Sequence, residues 1–234
     1  MKVSVLTGAG ISAESGLPTF RDKGEGLWAK FNPMELATPA AFKTQPEKVH
    51  EFYNLRRRLL QEVKPNAAHF ALVRLAQKLA RNGGELNIIT QNVDDLHERA
   101  GSKNVLHIHG ELMQVKCVAC DQAVVWTADL GLRDRCGACG EVGSLRPNVV
   151  WFGEIPFGMD EASDAVTQSD LFVAIGTSGA VYPAAGLVQL AAHHGVRTCE
   201  LNLAPSENYG AFDNARYGPA TEIVPAWADA LLIG

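Results

Sequence analysis

No stretch of this 234-residue chain approaches the roughly 18 to 20 consecutive apolar residues needed to cross a bilayer. The start, Met1 to Leu6, has one lysine and a very short apolar run, and lacks the h-region and small-residue cleavage site of a signal peptide. A cytoplasmic protein is the expectation. Internal repeats, low-complexity tracts and long polar stretches are also missing, which excludes disorder for most of the chain. Basic clusters are scarce. The formal net charge is −5, and the one dense group, Arg56-Arg57-Arg58, is too short to track a phosphate backbone. Neither membrane contact nor direct nucleic-acid binding is expected. Cysteines number only five, whereas a disulfide framework belongs to smaller, secreted chains.

What is present is ordinary globular composition, 47% hydrophobic and 20% charged, at a length suited to one large domain carrying a smaller one. Short apolar runs predict strands at Val3–Leu6, Leu86–Thr90, Val105–Ile108, Asn148–Trp151, Leu171–Ile175 and Arg197–Leu201. Helical spacing runs over 46–62 and 66–81, a hairpin broken at Pro65-Asn66, and over about 159–168, 183–193 and 218–232. Leu17 to Pro33 reads as a loop. Strands alternating with helices predict an α/β fold with a Rossmann-like parallel sheet. That domain takes 1–34, 84–111 and 147–234; a smaller domain combines a helical insert at 35–83 with a four-cysteine insert at 112–146.

Gly8-Ala9-Gly10-Ile11-Ser12-Ala13 fits G-x-G-x-x-[G/A] between a predicted strand and a predicted helix. Its glycines would let backbone N–H groups approach a pyrophosphate. Alone, it fits equally a glycine turn in another α/β protein. The acidic ribose ligand of a dehydrogenase should come about 20 residues on. The Pro/Gly loop occupies that stretch, which points to Asn202, after the strand ending at Leu201, as the group for the adenosine ribose.

Cys117-x-x-Cys120 and Cys136-x-x-Cys139, 15 residues apart, have zinc-site spacing. Four thiolates close the coordination shell, so such a zinc is structural. A thioredoxin-like redox site would need one pair only.

Taken in order, Gly8–Ser12, Gly16-Leu17-Pro18-Thr19-Phe20-Arg21, Thr90-Gln91-Asn92-Val93-Asp94, His109-Gly110, the four cysteines, Val149-Val150-Trp151-Phe152-Gly153-Glu154, Gly176-Thr177-Ser178 and Asn202-Leu203 resemble the sirtuin family over nearly the whole chain. The resemblance implies NAD as a consumed co-substrate, acylated protein lysines as substrates, and lysine, nicotinamide and O-acyl-ADP-ribose as products. It implies NAD contacts from Gly8 to Ala13, from Pro18, Thr19, Phe20, Arg21 and Trp28, and from Gln91 to Asp94. Gly176, Thr177, Ser178, Asn202, Leu203, Ala204 and Ala220 complete that set. His109 would be the general base, for which an unperturbed pKa of about 6.5 is suited. On the residues alone, Asp94 also reads as a helix cap and Asn92 as a turn residue. Thr19 stands where many family members carry Asp. His107 shares a strand face with His109, while His50, His69, His97, His193 and His194 read as surface or packing residues.

Tyr53 and Arg56 lie on one helix face and match the Y-x-x-R pair of the sirtuin branch that takes succinyl, malonyl and glutaryl groups. A guanidinium can clamp a carboxylate through two hydrogen bonds and a phenol can add a third. The plain alternative is a rim aromatic and a solvated charge. The peptide is expected to pair as a strand beside Val150–Glu154. A monomer is expected. A deacetylase preference, mono-ADP-ribosyl transfer and a zinc-ribbon binding module are the competing readings.

Overall fold

The computed structural model describes residues 1–19 and 32–231. Among these, β1 (Lys2–Thr7), β2 (Glu85–Thr90), β3 (Leu106–His107), β7 (Leu171–Ile175), β8 (Arg197–Asn202) and β9 (Asn214–Tyr217) form a parallel sheet in the order β3-β2-β1-β7-β8-β9. β7, LFVAI, is an uninterrupted apolar run, and β1 is buried from Val3 to Thr7, because both faces of the sheet are covered. Val3, Val5, Val173, Ile175 and Leu201 face α4 (Ala67–Arg81) and α8 (Ala220–Leu231). Leu6, Ile89, Phe172 and Ala174 face α6 (Met159–Thr167) and α7 (Leu187–His193). The order reverses between β1 and β7, which opens a crevice at the carboxyl ends of the strands.

Three short helices, α1 (Pro33–Leu36), α2 (Pro39–Thr44) and α5 (Leu96–Ala100), and the long α3 (Pro46–Glu62) sit beside a second sheet. That sheet is antiparallel, in the order β5 (Ala123–Val125), β4 (Gly110–Cys117), β6 (Leu145–Val149). Phe52, Tyr53 and Leu60 of α3 pack there with Leu112, Val149 and Trp151. Asn54 and Arg57 stitch the layers: Asn54 Nδ2 donates to Leu130 O at 2.9 Å, and Arg57 Nε to Leu112 O at 3.2 Å. Arg57 is therefore an interior residue, and the arginine triplet is no surface cluster.

Two expectations are corrected. The glycine loop enters two 3-10 turns, Ala9–Ile11 and Ala13–Ser15, instead of a helix. Its amides are taken elsewhere: Gly8 N donates to Ile175 O and Gly10 N to Gly176 O, and Gly16 at φ +98° ends the second turn. The strand expected at Asn148–Trp151 in the parallel sheet is Leu145–Val149 in the antiparallel one, and its alternating burial fits a sheet with unlike faces. β9 has no counterpart among the predicted strands, because all four of its residues are exposed and supply no apolar run.

Candidate active site

Strands β1, β2, β7 and β8 deliver Gly8–Ser12, Gln91–Asp94, Gly176–Ser178 and Asn202 to one crevice. The glycine loop and the turn after β7 touch backbone to backbone. A Cβ on Gly10 would lie 2.6 Å from Gly176 Cα, and one on Gly176, at φ +62°, 2.5 Å from Ile11 N. Only glycine fits either position. Asn66 caps α4 by accepting from Ala68 N at 3.0 Å, and its Nδ2 donates to Ile11 O at 2.8 Å, tying that helix to the loop.

A buried polar cluster forms beneath the loop. Ser12 Oγ donates to Asp94 Oδ2 at 3.1 Å, and Asn92 Nδ2 donates to Gly8 O at 3.1 Å and to Ser12 Oγ at 3.2 Å. Asp94 Oδ1 accepts from Leu96 N at 3.1 Å, a turn bond from one residue before the N-cap, which is Asp95 and not Asp94 as the cap reading had it. Burial pushes the Asp94 carboxyl up to about 6, against the pull of its hydrogen bonds. His69 Nε2 lies 3.5 Å from Ser12 Oγ, and His97 Nε2 3.0 Å from Thr7 Oγ1. Both rings are fully buried, and burial lowers His69 to about 4. Sequence reasoning missed their link to the site; the Asn66-x-x-His69 cap at the start of α4 was the available signal.

His109 is half-buried, which lowers its pKa. Its Nδ1 lies 3.0 Å from Gln91 O; a carbonyl only accepts, so Nδ1 carries the proton and Nε2 of the neutral ring keeps its lone pair. Asn202 Nδ2 donates to Thr177 O at 2.7 Å, and Leu203 N donates to Asn202 Oδ1 at 3.0 Å. Leu203 and Ala204 lie exposed beyond it, and Ala220 opens α8. Glu200, not singled out from sequence, is buried on the same strand face and accepts from Tyr217 Oη at 2.9 Å and Ser206 N at 3.2 Å. Pro18 and Thr19 close the first described segment; Phe20, Arg21 and Trp28 lie outside the described residues.

Tyr53 is buried under Trp151, whose Nε1 donates to Tyr53 Oη at 2.9 Å. The Arg56 guanidinium lies 5.5 Å from the ring centroids of both Phe52 and Tyr53, and burial lowers its pKa. Trp151 is braced from behind by Arg146, stacked 3.3 Å from its ring and paired with Glu154 at 2.6 Å. Backbone N–H groups of Val150 and Phe152 already donate to His109 O and Ala37 O. Strand pairing along this segment is thereby restricted to Gly153 N–H and the carbonyls.

The four cysteine sulfurs lie within 4.8 Å of one another. Cys117 and Cys139 are 3.7 Å apart, as are Cys120 and Cys136. A tetrahedron with Zn–S bonds of about 2.3 Å sets sulfurs about 3.8 Å apart, so the cluster fits zinc with no position left for water. The length of β4 separates it from His109 by on the order of 20 Å, which suits a structural role.

The Sir2 family profile matches residues 8–183. The chain belongs to the Sir2 family. An NAD-dependent protein deacylase of Caulobacter vibrioides is 56% identical over 232 residues, 99% of this chain and 97% of the relative. A solved Sir2 homologue–NAD complex aligns with TM-score 0.87 at 40% identity, covering 98% of this Sir2 chain and 89% of that one. A Sir2 protein bound to an acetylated peptide aligns with TM-score 0.82 at 28% identity, covering 99% and 94%.

Proposed function

We propose that this Sir2-family NAD-dependent protein deacylase acts chiefly on lysines carrying acidic acyl groups, succinyl and malonyl, with acetyl as a weaker substrate. The observation that carries the proposal is the Tyr53–Arg56 pair on α3. Tyr53 Oη accepts from Trp151, which leaves its own proton to donate. A cation whose charge is disfavoured by burial gains most from an anionic partner. An acyl carboxylate offers both groups a charged acceptor that an acetyl group does not carry.

NAD supplies the ADP-ribosyl group that captures the acyl oxygen as nicotinamide leaves. Gly8–Ala13 and Gly176–Ser178 line the pyrophosphate, their glycines allowing its close approach, and Asn202, Leu203, Ala204 and Ala220 hold the adenosine end. Gln91, Asn92, Val93 and Asp94 orient the nicotinamide ribose, with Pro18 and Thr19 beside it; Phe20, Arg21 and Trp28 join the NAD set by the family resemblance alone. His109 takes a ribose hydroxyl proton at Nε2, the nitrogen that its bond to Gln91 O leaves unprotonated. Val150, Trp151, Phe152 and Gly153 seat the peptide. Residues 1–34, 84–111 and 147–234 serve NAD, 35–83 the acyl group, and 112–146 the zinc.

The test compares kcat/KM for acetyl- and succinyl-lysine peptides in wild type and Arg56→Met. Losing charge-assisted bonds worth about 1.5–3 kcal/mol lowers the succinyl value about 10- to 150-fold and spares the acetyl value. A variant that keeps its succinyl preference sinks the acyl-pocket assignment.

A further inference from the structure

His107 sits two positions before His109 and takes no part in the reaction outlined above. Its side chain is only 8% exposed and both ring nitrogens are engaged. Nδ1 lies 3.2 Å from Asn92 O and Nε2 lies 2.9 Å from Glu98 Oε1. A carbonyl and a carboxylate can only accept, so each nitrogen must carry a proton. The ring is therefore held as an imidazolium. His109, by contrast, donates through Nδ1 alone, to Gln91 O, and keeps Nε2 as a base. Two histidines of one short segment thus grip consecutive carbonyls of the Gln91–Asp94 turn in opposite protonation states.

We propose that His107, charged through its pair with Glu98, is the positioning residue that fixes the Gln91–Asp94 turn and thereby the His109 ring. The idea rests on His109 being the base. The turn carries what both halves of the reaction need: Gln91 O aims His109, and Asn92 and Asp94 hold the loop through Gly8 O and Ser12. A neutral His107 has a single N–H. It can serve Asn92 O or Glu98, but not both, and the turn then loses its tie through His107 to Glu98 of α5, keeping only the Asp94–Leu96 bond.

The charges around the ring support this. Burial works against the imidazolium, but the bond and charge of Glu98 on α5, with Glu111 on β4 and the Asn92 carbonyl, outweigh it and raise the pKa. Asp94, on the turn itself, also interacts with the ring. His97, the other titratable neighbour on α5, is held far below its usual pKa by burial and adds no charge near neutrality. Because the folded-state pKa is raised, the contribution of His107 is complete below about pH 6.5 and fades as pH rises through the folded-state value.

The experiment is a profile of kcat/KM for NAD from pH 6 to 10, at saturating acyl-peptide, in wild type, Glu98→Gln and His107→Gln. Wild type should show an acid limb from His109 and an alkaline limb from His107. Glu98→Gln should move only the alkaline limb toward neutrality, by about 1 pH unit or more for the loss of an adjacent opposite charge. His107→Gln should lower the plateau about tenfold and abolish the alkaline limb. Glu98 is partly exposed, so its variant decides the matter even where His107→Gln fails to fold. An alkaline limb absent from wild type, or unmoved in the variants, overturns the proposal. Failure of the His109 assignment would show separately, as a His109→Ala variant that keeps turning over.

Discussion

At the scale of single residues, burial sets the charges of the cluster around Ser12 more than pairing does, whereas at His107 pairing wins. Asp94 is pushed up to about 6 while His69 is lowered to about 4, within one hydrogen-bonded cluster around Ser12. The two signs oppose. A histidine with a depressed folded-state pKa contributes stability that is lost as pH falls from about 6.5 toward 4, whereas a raised carboxyl gains on acidification. Asp94→Asn should therefore lose stability more steeply than wild type between pH 6.5 and 4, read as Tm across that range. Parallel curves for the two proteins would contradict the assignment. Apart from the Asn66-x-x-His69 cap, none of this was legible in the sequence. His69 and His97 read as packing residues because nothing in their spacing announces that α4 and α5 meet under the glycine loop.

At the scale of elements, Asn66 carries two tasks, capping α4 and holding Ile11 O and Ser15 Oγ. Asn66→Ala should cost about 1–2 kcal/mol of stability and raise KM for NAD with little change in kcat. Thermal unfolding and a KM–kcat split check both parts. In α3, Tyr53→Phe leaves the buried Trp151 Nε1 without its acceptor, a penalty of about 1–3 kcal/mol. Helix α3 itself was legible to the residue from spacing, as was β7. The 3-10 turns after Gly8 were not, because G-x-G-x-x-A specifies close backbone approach and is silent on the kind of helix that comes next. The strand at 145–149 lies in the antiparallel sheet and not the parallel one, since a short apolar run does not say which partner it pairs with.

At the scale of the whole molecule, the antiparallel sheet joins the four-cysteine cluster to the proposed base: β4 runs from Gly110, beside His109, to Cys117. Its core around the cluster is small, just Val115, Cys117, Leu130, Cys136 and Leu145 with two partners. Chelation, or Cys136→Ala, should therefore disorder that sheet and abolish deacylation while the parallel sheet persists. Zinc content, activity and far-UV circular dichroism track the three consequences, and full activity without metal would contradict them. Spacing alone announced this centre, and the strand order confirmed the crevice that the glycine loop implied. What sequence could not supply was the packing behind Tyr53, where Trp151 is held by Arg146 and Glu154 in a segment far along the chain.

The central claim is that a Sir2-family deacylase carries an acyl pocket built for a carboxylate. One competition tests it most directly: equimolar acetyl- and succinyl-lysine peptides with limiting enzyme and NAD, read by mass spectrometry of the O-acyl-ADP-ribose products. O-succinyl-ADP-ribose should predominate in wild type and fall below O-acetyl-ADP-ribose in Arg56→Met. Predominance of the acetyl product in wild type, or the same ratio in both proteins, would contradict the account.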